Sequence, residues 1–150
     1  MSIVTGNEGD LDALKLDNQL CFPLYACSKE IVRCYNTYLD EVDLTYTQYI
    51  TMIVLWDKKK INVKMLGEKL YLDSGTLTPV LKKLEAKGYI TRKRSKEDER
   101  NLEINITKEG EALKERAFDI PKAMEKIINL TPDETKTLYN LLYKVIENVR

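Results

Sequence analysis

The sequence predicts a mainly helical α+β fold with one small β-hairpin, and three observations predict it. Apolar residues recur every three or four positions in long stretches at both ends of the chain. Two short segments with strand character, residues 89–94 and 102–106, flank a polar, charged stretch. Pro23, Gly88, Pro121 and Pro132 stand where helices should start, stop or bend.

The elements follow in order. Residues 1–15 contain two glycines and several acids and lack a sustained period, so they are expected to form a mobile extension. Leu20, Leu24, Cys27, Ile31, Cys34 and Tyr38 draw one apolar stripe at 4-3-4-3-4 spacing, predicting a helix to about Leu39. Proline is tolerated only in a first turn, so Pro23 places its start near Gln19 to Phe22. A largely apolar and therefore central helix is expected over 47–57. A third, over 63–70, has Asn62 as its cap. After a break at 71–75, a fourth runs to Lys87 and stops at Gly88. The two strand segments then form a two-stranded hairpin. Thr107 caps a fifth helix with the stripe Leu113, Ala117, Ile120, Met124 and Ile127, kinked at Pro121. Thr131, Pro132 and Glu134 signal a capped last helix with the stripe Leu138, Leu141/Leu142, Val145 and Val149.

The 150 residues, 43% hydrophobic and 32% charged, fit one domain, or one core plus a small lobe. The absence of histidine removes His-based nucleophile activation, His general acid–base chemistry and the usual zinc sites. No catalytic group, metal or cofactor is expected. Cys21, Cys27 and Cys34 are too few and too clustered for a disulfide scaffold. No apolar run reaches about 18 residues and no signal-peptide pattern opens the chain, so the expectation is a cytoplasmic, reducing location with no membrane partner.

Net charge is zero, but its distribution is uneven. Residues 82–100 hold eight basic side chains against four acidic ones, a local +4, while residues 1–20 carry −3. Helix, short turn, helix and basic hairpin is the order of a winged helix-turn-helix, which reads duplex DNA. The second helix of such a pair enters the major groove and presents its N-terminal side chains to base edges. Here that end offers Ser74, Thr76 and Thr78, with Lys82 and Lys83 one turn on, toward phosphates. On the wing, Arg92, Arg94, Lys96 and Arg100 suit backbone and minor-groove contact, and Asp98 is placed to hold the Arg100 guanidinium. The terminal helices carry more apolar stripe than a domain of about 80 residues needs. That predicts a homodimer whose reading helices lie about 34 Å apart on a palindrome-like operator.

Of the three thiols, Cys27 and Cys34 fall on the apolar stripe and are expected to pack in the core. Cys21 lies on an adjacent line with Tyr25, Ser28, Val32 and Tyr35. At the positive end of a helix begun by Pro23, its thiolate is favoured, the form that attacks peroxides. Tyr35 is 14 residues on, about 21 Å along one straight helix, so the two meet only across an antiparallel partner helix. A phenol there would donate to the thiolate.

These residues carry a resemblance. The run 16–22 (LDNQLCF) with Leu24-Tyr25 closely resembles the opening of the peroxide-sensing MarR-type repressors known as organic hydroperoxide resistance regulators. Leu44-Thr45-Tyr46, Gln48-Tyr49, Leu55-Trp56, the run 67–79 (GEKLYLDSGTLTP) and Asp98-Glu99-Arg100 extend it over roughly residues 16–150. The resemblance implies a dimer that represses a gene for a thiol-dependent peroxidase. It implies Cys21 as the redox-sensing residue, Tyr25 and Tyr35 as phenols reaching it from the other subunit, and Asp98 with Arg100 as paired DNA contacts of the wing. With no cysteine after Cys34, the chain resembles the one-cysteine class, in which a low-molecular-weight thiol captures the sulfenic acid. The organisation it implies is a dimerisation helix with the sensor cysteine at 16–45, a winged helix-turn-helix at 46–106, and C-terminal dimerisation helices at 107–150.

Two features depart from the pattern. Pro23 stands where an apolar helix former is expected, and Cys27 and Cys34 are extra thiols, each an alternative resolver if the helix unwinds. The leading expectation is therefore a repressor, not an enzyme, that senses organic hydroperoxides at Cys21 and then releases its operator. Three other readings stand beside it: a MarR-type repressor released by a phenolic or other small anion at the dimer interface, a thiol peroxidase using Cys21, and a regulator with the same cysteine but broader virulence or metabolic targets.

Overall fold

The structure, a computed structural model of the single chain, describes residues 11–94 and 102–150. They fall into two compact units that divide between Ala117 and Phe118.

In the first unit, single 3-10 turns at Leu11–Leu14 and Leu16–Asn18 lead into α1, Cys21–Leu39. Pro23 is its third residue, where no helical N–H is missed. A 3-10 turn, Asp40–Val42, connects α1 to α2, Tyr46–Lys58. A capping box starts α2: the Thr45 hydroxyl accepts from the Gln48 amide, and the Gln48 side chain accepts from the Thr45 amide. The helix is central, as its apolar sequence requires. Tyr49, Met52, Val54, Leu55 and Trp56 are buried, and the Trp56 indole donates to the Gly110 carbonyl at 2.8 Å.

The helix-turn-helix comprises α3, Val63–Leu70, and α4, Ser74–Ala86. Asn62 caps α3 by accepting from the amides of Lys64 and Met65. The turn between the helices is shaped by a close approach: a Cβ on Gly67 would lie 2.8 Å from the Leu72 carbonyl oxygen. Tyr71 takes a left-handed conformation there, with φ 57°. At the end of α4, Gly88 is left-handed (φ 79°), and the amides of Gly88 and Tyr89 bond back to Glu85 and Leu84, a Schellman closure.

The sheet has three strands where the sequence predicts two. β1 (Lys60–Asn62), β2 (Ile90–Arg94) and β3 (Leu102–Ile106) are antiparallel in the order β1-β3-β2. Ile61 and Arg92 both oppose Ile104, and Ile90 opposes Ile106. Three residues are too few to show an alternating pattern, which is why β1 escapes sequence reading. α5, Lys108–Ala117, closes the unit. Thr107 caps it by accepting from the Gly110 amide at 3.0 Å.

The kinked fifth helix is corrected to two helices. α5 ends at Ala117 and α6 runs Ile120–Ile128, with Pro121 in its first turn. A proline ring clashes with the carbonyl four residues back, here Ala117, so the helix stops and restarts. In this second unit α7, Pro132–Val149, begins with the expected capping box of Thr131 and Glu134. No residue of α7 is buried, and Leu138, Leu141, Leu142, Val145 and Val149 are all exposed. No helix among the described residues is long and apolar enough to cross a membrane.

Candidate DNA-reading face and sensor helix

α4 buries Leu77, Val80, Leu81 and Leu84. Its other face therefore points outward: Ser74, Thr78 and Lys82 lie one turn apart in one row, Thr76 and Lys83 lie on the opposite flank of that face, and all five expected reading residues are exposed. Asp73, which sequence reasoning missed, positions this end. One of its carboxylate oxygens accepts from the Thr76 amide at 2.8 Å, and the other from the Thr76 hydroxyl at 3.0 Å. These bonds hold the Asp73 carboxyl below the usual carboxylate range. The Thr76 hydroxyl proton is thus committed to the cap, while Ser74 and Thr78 face outward without such a tie to Asp73. The signal was available as a cap residue three positions before Thr76.

The wing differs from expectation at Arg92. Its Nε and Nη2 donate to one Glu85 carboxylate oxygen at 2.8 and 2.6 Å, and its amide donates to the other at 3.0 Å. Arg92 is only 23% exposed, and its bonds hold the Glu85 carboxyl below its ordinary value. The side chain therefore fastens the wing to the reading helix instead of reaching out as a free cation. Arg94 and its neighbour Lys93 are exposed. Lys96, Asp98 and Arg100 lie outside the described residues.

On α1, Cys21 is the first helical residue and is exposed. The preceding Leu20 supplies no side-chain cap, so the first amides of α1 have no side-chain acceptor from the capping position. Tyr25, one turn on, is exposed, with the Lys29 ammonium 5.2 Å above its ring. Around the start of α1 a recess of about 480 Å³ is lined by Leu16, Leu20, Phe22 and Pro23 together with polar residues 17–19.

The other tyrosine is placed differently. The Tyr35 ring lies 4.9 Å from Tyr46 and 5.7 Å from Tyr49, and Tyr49 makes an edge contact with Trp56 at 6.3 Å. Burial, and then the neighbouring Tyr46, raise the Tyr35 phenol above its usual value, so it remains a protonated donor. Tyr49 is pushed up to about 12, chiefly by burial. Cys27 corrects the core expectation: it is exposed, and Cys34 is only half-buried. The reason is that Leu39 is the one residue of α1 buried in a single chain, so the predicted stripe has little of its own chain to pack on.

Comparison with known proteins adds to this geometry. The family model for the SarA/Rot transcriptional regulators matches residues 33–117. The organic hydroperoxide resistance transcriptional regulator of Bacillus subtilis is 46% identical over 95% of this chain and 97% of its own length. The regulator SarZ of Staphylococcus haemolyticus is 47% identical over 89% of this chain and 90% of its own. Among solved structures, AbfR of Staphylococcus epidermidis bound to DNA is similar in both its reduced and its overoxidised form. The TM-score is 0.77 for each, at 33% and 32% identity. The reduced form covers 92% of this chain and 96% of its own, the overoxidised form 93% and 98%.

Proposed function

The chain belongs to the winged-helix transcriptional regulators of the MarR type, in the branch of the organic hydroperoxide resistance regulators and SarZ, and from that membership we propose that it is a redox-switched repressor with Cys21 as its sensor. The reduced homodimer holds a palindrome-like operator. The reading face is Ser74, Thr76, Thr78, Lys82 and Lys83, with Arg94 and the residues beyond it on the wing. The single observation that carries the reading is the placement of Cys21: an exposed thiol at the start of a helix whose other end is embedded in the reading unit.

The chemistry balances in two steps. The Cys21 thiolate attacks the distal oxygen of an organic hydroperoxide, the O–O bond breaks, an alcohol leaves, and the sulfur becomes a sulfenic acid. A low-molecular-weight thiol then attacks that sulfur, water leaves, and a mixed disulfide remains. The recess at the start of α1, lined by Leu16, Leu20, Phe22 and Pro23 together with Asp17, Asn18 and Gln19, offers apolar side chains to the hydrocarbon tail of a hydroperoxide. Across the two-fold axis, Tyr25 and Tyr35 of one subunit donate to the thiolate of the other as neutral phenols. The exposed stripes of α1 and α7 supply the dimer interface. A bulky mixed disulfide no longer fits among the phenols, so the interface shifts and the reading helices lose their spacing.

A coupling of about 3–4 kcal/mol corresponds to several hundredfold in operator affinity. The test is operator binding with and without cumene hydroperoxide plus thiol. The wild type should release DNA, and Cys21→Ser should keep it. Full release by the serine variant would sink the model.

A further inference from the structure

The turn that follows α1 is gripped from the reading helix. It consists of the 3-10 turn Asp40–Val42 and Asp43, whose backbone is left-handed at φ 52°. Lys87, the first residue past α4, reaches back to it. Its ammonium donates to the Asp43 main-chain carbonyl, lies 3.0 Å from the Asp43 carboxylate, and is 3.4 Å from the buried Gln48 side-chain oxygen. The ammonium thus has two hydrogen-bond acceptors and one ion-pair partner. Gln48 also completes the cap of α2, so one cation joins three elements: the end of α4, the α1–α2 turn and the start of α2. A second tie, from Arg116 on α5 to the Glu41 carbonyl at 2.6 Å, holds the same turn from the other side.

Two kinds of contact meet here, and they do different work. Leu39, Val42 and Leu44 are buried and anchor the turn in the core. Asp43 is exposed, and an ion pair of that kind contributes little to stability. The Lys87 bonds connect the turn that follows α1, at Asp43, to the residue that follows α4, 44 residues away in sequence.

We propose that Lys87 is a positioning residue that carries a displacement of α1 into α4, so that the affinity lost on modification of Cys21 passes through this staple. The proposal rests on the redox reading above. Without the staple, α1 still moves, but α4 stays seated in the groove.

The test uses the full-length dimer and a duplex selected from a random pool by the reduced wild type. In the first arm, affinity is measured before and after cumene hydroperoxide plus free cysteine. Wild type should lose several hundredfold. Lys87→Met should lose about tenfold or less, with near wild-type affinity when reduced and a near wild-type melting temperature. Lys87→Arg should restore the full loss. A Lys87→Met loss equal to wild type overturns the proposal, and so does a reduced-state affinity that falls in step with thermal stability, because that marks a merely structural role.

The second arm drives α1 without oxidation, by Cys21→Trp at an exposed position. Cys21→Trp should weaken operator binding when Lys87 is present and not when it is methionine. If wild type ignores the oxidant while this dependence holds, the redox reading fails and the staple stands. If Cys21→Trp acts equally in both backgrounds, or in neither, the staple fails.

Discussion

The two ends of α1 are built on opposite principles. At the N-terminal end Cys21, Phe22 and Tyr25 are exposed, the helix has no side-chain cap, and the neighbouring 3-10 turns bury nothing. At the C-terminal end Leu39 is fully buried, Val42 and Leu44 follow it into the core, and the Tyr35 ring packs at a tilt against Tyr46 and Tyr49. The contrast suits the role proposed for α1 as both sensor and lever. A reactive thiol needs access, and a lever needs a fixed attachment, and 19 residues separate the two requirements by about 28 Å.

The comparison can be broken most forcefully at the fixed end. Leu39→Ala should destabilise the protein by about 2–5 kcal/mol in chemical denaturation, while Leu20→Ala at the free end should stay within about 0.5 kcal/mol. Equal effects would mean that both ends are anchored alike. The alkaline limb of stability is the next largest effect. The Tyr49 phenol has a folded value of about 12, raised above the ordinary 10, so the neutral form is favoured by the fold. Its contribution is present in full below pH 10 and is lost as pH climbs toward 12. Stability curves at pH 9 to 12 should show the decline for wild type and a shallower one for Tyr49→Phe.

Much of this contrast was legible in the sequence, and the missing parts share a cause. The start of α1, the Asn62 and Thr131 caps, the stop at Gly88 and the outward row of α4 all follow from local rules, and the structure has each of them. The stripe of α1 was legible as well. Its exposure was not, because periodicity shows which residues share a face and says nothing of what covers it. β1 pairs with a strand more than 40 residues away, and Arg92 meets Glu85 across a turn, so neither leaves a local pattern. Those are tertiary facts. They turn Arg92 from an expected DNA contact into the tie between wing and reading helix.

That tie gives a smaller prediction. Because both side chains are partly solvated, Arg92→Met should cost only about 0.5–1 kcal/mol of stability, measured by denaturant titration. The larger consequence should be a loosened wing, seen as faster amide exchange across Ile90–Arg94 with α1 unchanged. The smallest effect belongs to the acid limb. The Asp73 carboxyl lies below its ordinary value in the fold, so its cap contributes above pH 4 and is lost as pH falls through the folded value. Asp73→Asn should flatten that part of the stability profile, as read by thermal melts from pH 5 to 2.

The most direct test follows two quantities in one sample as hydroperoxide and thiol are added: the fraction of operator released, and the fraction of Cys21 carrying a thiol adduct by intact-protein and peptide mass spectrometry. The account predicts that release tracks the Cys21 adduct, with Cys27 and Cys34 unmodified at the point of half release. Operator retained on a dimer with Cys21 fully modified, or released while Cys21 is still a free thiol, would contradict it.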